Sequence, residues 1–490
     1  DMLQDHEGGL WFATYSQGLA YLQPDWQRFS SVYHHRDQLL ESMLLTHSAA
    51  DGDGFLITSD QGLFRLDAAG ELKQLVTRAQ AGGAALWSVQ PLPDGQIVVG
   101  TRGRMLWFDR QGQRLRSVPV VDGSNPYERV DLITLMPDGT LWTKVIGVGL
   151  QQRTADGRLL RTLQAGGVEG LPDEQVHQLR AGPDGVLWVA SEAGLHRWDG
   201  ERLHAVRGLA SAHGVHDIVF AYHNLLWVAG DGVLAHYRWQ DNTVDLVEQA
   251  GPPEGVPAVS LGGLLLSDGG QLWATSPRGL VRWSGRGEVM VYGAGQGVPE
   301  MEFIDRPPSR NARRGLALSR GGLVHFDMDQ AQLTLPTSQL LVSAVAVRQR
   351  KGHQFLPRAM DDNLLVLQPD DGEALVTARL ISHAGRGSQR YRFKLEGVDH
   401  DWVEVGADGQ RTLSHLPGGT HQLRVQARWG QSDWVSGPGL TIQVKPYWWA
   451  TPWARGLWVL CAVLALALMA WQLRRRVQRK QRWQLLNQYK

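Results

Sequence analysis

The chain has 490 residues, with 49 basic and 49 acidic side chains, so its formal charge is zero. That balance excludes a broad cationic nucleic-acid face, and the length leaves room for more than one domain. Glycine (57) and tryptophan (20) are abundant while only the C-terminal end reads as a long helix, a mix that points to an all-β protein rich in tight turns. The single cysteine, Cys461, lies inside that helical stretch, so core burial rather than disulfides must stabilise the rest.

The first 330 residues repeat. A bulky reference position falls at Trp11, Phe55, Val98, Trp142, Trp188, Trp227, Trp273 and Leu316, at intervals of 44, 43, 44, 46, 39, 46 and 43. Periods of this size indicate a propeller or a solenoid. Each unit opens on an apolar run such as Leu132–Leu135 or Val176–Leu179. An Asp-Gly pair follows, at Asp53-Gly54, Asp94-Gly95, Asp138-Gly139, Asp184-Gly185 and Asp268-Gly269, which predicts a two-residue hairpin turn. Next come a strand carrying the reference residue, a Gly-Leu pair (Gly62-Leu63, Gly149-Leu150, Gly194-Leu195, Gly279-Leu280), and two further strands. One four-stranded blade cannot bury both its faces, whereas blades stacked around a ring can. Eight units fit an eight-bladed ring, or seven blades preceded by the last blade of an earlier propeller; seven plus one is preferred. The chain opens in mid-pattern at Asp1 without a signal peptide, so a fragment is expected, cut at both ends.

The unit D-x-x-G-x-L-W-x-x-T/S followed by G-L resembles the two-component regulator propeller repeat, which builds the extracytoplasmic sensor of one-span bacterial receptors. The resemblance covers about two-thirds of the chain.

Pro336 marks the end of the repeat. From Leu341 the alternation returns without the period, in about seven runs ending at Leu440–Val444, which suits an immunoglobulin- or fibronectin-like sandwich. Tyr391–Gly397 (YRFKLEG), Trp402, Leu416–His421 (LPGGTH) and Trp434 resemble the Y_Y_Y domain of the same receptors, with Phe393 and His421 in place of two of its tyrosines. Lys445–Trp449 (KPYWW) is similar to that family's exit towards the membrane.

Gly456–Leu473 is an uncharged run close to the length of a membrane-spanning helix. Tyr447, Trp448, Trp449 and Trp453 crowd one end, and Arg474, Arg475, Arg476, Arg479, Lys480 and Arg482 follow the other. The positive-inside rule then places 1–455 outside and the C-terminus in the cytoplasm. Beyond it, 474–490 reads as a short basic helix, with Val477, Trp483, Leu485, Leu486 and Tyr489 interleaved, drawn to anionic lipid.

Side chains that carry chemistry were weighed individually. His213 with His216, and His34 with His35, have short spacing but no accompanying cysteine or carboxylate, and read as surface or loop residues rather than metal ligands. The repeated aspartates read as turn residues. Trp26, Trp107, Trp239 and Trp283, near strand ends, are weak candidates for stacking on sugar rings. No catalytic, ligand-binding or metal site, and no cofactor, is assigned.

The expectation is all-β: a seven- (or eight-) bladed propeller over 1–335, a Y_Y_Y sandwich over 341–446, a span over 456–473 and a cytoplasmic juxtamembrane segment over 474–490. The resemblances imply the sensory region of a single-pass inner-membrane receptor, dimeric, binding a small molecule or oligosaccharide and passing the signal to a histidine kinase or diguanylate cyclase. The alternatives are a membrane-tethered enzyme, since the repeat is also similar to streptogramin-lyase propellers, and a protein-binding scaffold.

Overall fold

The computed structural model describes the chain except for residues 6, 17, 23–27, 36–37, 122–126, 211–213, 223, 286–288, 295–296, 299–301, 330–338, 382–388, 430–432 and 488–490. For 34–35, 38–39, 429, 450 and 481–487 it describes the backbone alone. Trp26, His213, Pro336 and Tyr489 therefore lie outside the described residues. Two compact units emerge, Asp1–Pro336 and a second built from Thr337–Ser382 and Arg386–Lys490.

In the first unit, seven four-stranded antiparallel sheets follow one another as blades: 1 (45–77), 2 (88–119), 3 (130–163), 4 (176–205), 5 (217–250), 6 (263–292) and 7 (309–327). The innermost strands of blades 1 to 6 adjoin in order, and that of blade 7 lies beside that of blade 1. Ser48 and Ser309 share a hydroxyl hydrogen bond at 2.8 Å across this last junction. Blade 7 draws its outermost strand from the chain start: Phe29–Val32 pairs with Leu323–Asp327, setting Phe29 opposite Phe326. The repeat around Trp11 stays apart as a three-stranded sheet of Met2–Gln4, Leu10–Thr14 and Gly18–Leu22. The ring therefore has seven blades, with one repeat left over in front.

Seven apolar clusters occupy the seven seams between blades. The reference residues fill them: Phe55, Trp142, Trp188, Trp227 and Trp273 are all buried. Trp142 meets Trp198 edge-on at 5.3 Å, and Trp227 meets Trp283 at 4.9 Å. Burial of such rings is the main stabilising contribution of each seam, about 2–3 kcal/mol per side chain.

The repeated glycines have a steric cause. At Gly149 φ is 116° and an added Cβ would collide with the Leu163 carbonyl oxygen of the outermost strand; Gly62 and Gly279 face Val76 and Tyr292 in the same way. The Asp-Gly turns depart from expectation. Met136 N–H bonds Thr140 C=O at 2.8 Å, and Gly139 N–H bonds Met136 C=O at 2.9 Å. The loop is thus Pro137-Asp138-Gly139, three residues rather than two, with Gly139 left-handed at φ 82°. Asp138 closes it by accepting the Thr140 N–H at 2.8 Å. In blade 1 the two-residue turn is Gly52-Asp53, one position earlier than the predicted pair, because Asp51 faces Gly54.

The second unit holds two sheets. One orders Leu356–Arg358, Gln339–Gln349, Asp371–Ile381 and Gln410–Ser414. The other orders Leu364–Leu367, Leu440–Val444, Gly419–Trp429, Gln389–Leu395 and Val403–Val405, with Val435–Ser436 on Gly419–Trp429. The seven expected runs are present, joined by three short strands too brief to show alternation. Tyr391 ties the sheets together: its buried hydroxyl accepts the Leu380 N–H at 3.0 Å and donates to Gln389 Oε1 at 2.6 Å. Phe393 is also buried, while His421 is half-buried and its Nε2 lies 2.9 Å from Pro417 C=O. Arg392 is sandwiched between Trp402 (4.7 Å) and Trp434 (4.1 Å).

The final helix runs without interruption over Pro452–Asn487. An 18-residue window within its Pro452–Lys480 stretch has a mean hydropathy of 2.1, and the stretch is long and apolar enough to cross a membrane. The span expected at 456–473 and the basic segment expected after it are therefore one helix. Arg475 lies over the Trp471 ring at 3.7 Å, one turn apart.

Candidate functional site: the central channel

A propeller leaves an axial channel lined by the first strand of every blade. Here all seven blades contribute to a cavity of about 790 Å³, the size of a small-molecule site. Its wall is mixed, with apolar residues such as Ala50, Ala181 and Val219 beside polar ones such as Gln90, Thr134 and Gln178. Tyr222, 81 % exposed, and the Arg310–Asp268 ion pair stand at one mouth, where the innermost strands end.

The other end is barred. Arg306, on the segment entering blade 7, reaches Asp131 at the start of blade 3's innermost strand, at 2.7 and 3.2 Å. A local irregularity creates this position. The ladder of blade 3 slips between Val130 and Leu132, so Asp131 is the extra residue of a β-bulge. A bulge re-aims a side chain that regular alternation would send elsewhere. Lys144 (3.5 Å) and Arg129 (3.3 Å) complete the set around the same carboxylate. Burial pushes the Asp131 carboxyl up, but Arg306, Lys144 and Arg129 outweigh it and hold it below the usual carboxylate range. Lys144 is lowered by burial, against the pull of Asp131.

His47 and Arg180 are among the polar residues that line the cavity itself. Burial, reinforced by Arg306 and Arg180 and opposed by Asp131, pushes His47 down to about 3. The ring is therefore neutral, and its Nδ1 has no hydrogen-bond partner. Arg180 bonds Asp217 of blade 5 through Nε (3.1 Å) and Nη2 (2.8 Å). Asp217 is fully buried and also accepts the N–H groups of Ile218 (2.7 Å) and Leu264 (2.8 Å), which binds blades 4, 5 and 6 together.

The residues singled out from sequence fall elsewhere. Trp107, Trp239 and Trp283 are 0 %, 8 % and 0 % exposed, so they are core and cannot stack on a sugar; strand-end position did not imply exposure because neighbouring blades cover those ends. His216 is buried rather than on the surface, with Nε2 3.2 Å from Asp231, Nδ1 3.2 Å from the Ser260 hydroxyl, and the ring stacked on His177 at 4.6 Å. Among the described residues no group of His, Cys, Asp and Glu side chains could hold a metal ion. His34 and His35 sit in a short hairpin whose side chains are outside the described set. Asp94, Asp138 and Asp184 each accept the N–H two residues on, as turn residues do. Only Asp268 of that series reaches the channel mouth.

His47, Asp131, Arg180 and Arg306 were missed. They come from three blades and the approach to a fourth, and no spacing relates them. The available signal was a charged or imidazole side chain inside an otherwise apolar first strand, as at Asp131 before Leu132.

Residues 382–446 match the family model of the Y_Y_Y domain, so the second unit contains one. No curated protein sequence matches the chain. Among solved structures, the extracellular domain of the hybrid two component system BT3049 from B. thetaiotaomicron superposes with a TM-score of 0.71 at 15 % identity, covering 91 % of this chain and 61 % of that one. The chain thus spans less than two-thirds of that protein's length. The extracellular domain of the one component system BT4673 from the same organism gives 0.32 at 12 % identity over 91 % of this chain and 80 % of that one. Streptogramin B lyase gives 0.48 at 14 % over 61 % and 98 %. The first of these likenesses shows a shared fold: propeller blades followed by a β-sandwich.

Proposed function

We propose that this chain is the sensory region of a single-pass receptor of the inner membrane. The propeller, of the two-component regulator type, takes a small molecule or oligosaccharide into its channel from outside the cytoplasm. The sandwich relays the change to the helix, and 474–490 leads to a histidine kinase or diguanylate cyclase output in the cytoplasm. Two copies would pair so that their helices move against each other.

The observation that carries this reading is a ligand-sized cavity, open at one mouth and barred at the other, in a chain that also holds a Y_Y_Y domain and one helix apolar enough to span a bilayer. The basic residues after Leu473 and the aromatic ones before Trp458 orient that helix. Binding suits the cavity better than acid–base catalysis, because a base held near 3, as His47 is, accepts protons poorly at neutral pH. A ligand shifts signalling only by its differential affinity for two states. The test has two parts. Alkaline phosphatase fused before Trp448 should be active, and fused after Arg482 inactive; the reverse pattern rejects the topology. A chimera of the full chain with a histidine-kinase output should respond to medium components, and Val219→Trp, which fills the channel, should abolish the response. A response that survives Val219→Trp rejects the channel as the sensory site.

A further inference from the structure

The barred end of the channel carries unbalanced charge. Arg306, Lys144 and Arg129 all bond the single carboxylate of Asp131, so the bonded set has two more positive than negative charges. The remaining channel cations are matched one to one, Arg180 with Asp217 and Arg310 with Asp268. Asp131 is 4 % exposed, and His47, which lines the cavity, is within electrostatic reach of both Asp131 and Arg306. In such surroundings an uncompensated positive field is weakly screened and concentrates anions. Donors are also left over on the wall. Arg180 uses Nε and Nη2 on Asp217, which leaves Nη1. Gln178 spends its Oε1 on the Leu179 N–H at 2.9 Å, which leaves its amide NH₂.

We propose that the channel is a receptor site for a carboxylate-bearing small molecule, its anionic group held towards Arg180, Gln178 and the cationic cluster, and its uncharged body against the apolar part of the wall. The proposal rests on the reading of the channel as the ligand site. The cavity volume suits a ligand of ordinary small-molecule size. Acidic sugars and simpler organic acids share the required chemistry. His47 fits the same picture, since an anion beside it would offset Arg306.

The test is calorimetric titration of the full chain in detergent with two acids and their neutral counterparts: glucuronate with glucose, and benzoate with benzyl alcohol. The acids should bind with dissociation constants below about 10 mM and their neutral partners at least about tenfold more weakly. Added sodium chloride should weaken only the acids. Arg180→Gln should cost the acids about tenfold and leave any neutral binding unchanged. Because Arg180 also steadies Asp217, Gln178→Leu serves as a second variant, with the same selective loss expected and thermal melting as the control for folding. Preference for glucuronate alone identifies an acidic sugar; binding of both acids identifies the carboxylate itself. Equal binding of acids and neutral partners overturns the carboxylate while keeping the channel as a ligand site. Absence of all binding overturns the proposal.

Discussion

Arg306 and Asp131 are 175 positions apart in sequence and bond at 2.7 Å across the ring. Their blades, the seventh and the third, are not neighbours, so this contact bridges the channel instead of sealing a seam. Removing one partner of a buried pair strands the other charge, which typically costs 3–5 kcal/mol. Asp131→Asn should therefore lower unfolding free energy by about 3 kcal/mol in a denaturant titration. The double variant Asp131→Leu with Arg306→Met should recover only part of that loss, because Lys144 and Arg129 still lose their carboxylate. A single variant as stable as the parent would show that the bridge is incidental.

Acid should weaken the propeller before its carboxylates titrate. His47 is held at about 3 in the folded state, against an ordinary 6.5. Between those values the unfolded chain binds one more proton than the folded one, so stability falls as pH falls. The slope is at most about 1.4 kcal/mol per pH unit for this one group. His196, His236 and His325, also lowered by burial, add in the same direction. The groups facing His47 are Arg306, Asp131 and Arg180, and Asp131, held low, loses its contribution only below the carboxylate range. His47→Gln should flatten the stability profile between about pH 6 and pH 4, leaving the background of the other three.

Two glycines with positive φ should respond differently to alanine. At Gly139, φ 82°, an added Cβ meets nothing within 4 Å, so only backbone strain of about 1 kcal/mol is expected. At Gly149, φ 116°, the Cβ also meets the Leu163 carbonyl oxygen, which belongs to the sheet and cannot yield. Gly149→Ala should cost at least about 2 kcal/mol. Equal melting temperatures for the two variants would remove the steric explanation of the Gly-Leu signature.

In the sandwich, Tyr391→Phe deletes only a hydroxyl, yet it leaves the buried Leu380 N–H without its acceptor. An orphaned buried donor costs about 1–3 kcal/mol. Hydrogen exchange at Leu380 should quicken in the variant, and an unchanged rate would mean that another acceptor replaces it.

The propeller was legible because its blades are made from adjacent sequence: Trp142, Trp188 and Trp273 recur at nearly regular spacing, and each fills an equivalent seam. Features that depend on distant segments were not. Phe29–Val32 carries no mark of a partner three hundred residues away, and the Asp-Gly pair alone does not reveal that the loop at Asp138-Gly139 takes in Pro137 as well. The channel was hidden for the same reason. Its wall takes single residues from each blade, and Asp131 points where it does only because one extra residue enters a ladder.

The clasp at blade 7 has a mechanical consequence. The chain joins the ring on that blade's rim at Phe29–Val32 and completes it on the same blade at Asp327. Tension applied between the leading sheet and the trailing sandwich would therefore load one antiparallel ladder, Phe29–Val32 against Leu323–Phe326, and bypass the other six blades. The part of the ring that encloses most of the channel could keep its shape while the chain on either side is pulled.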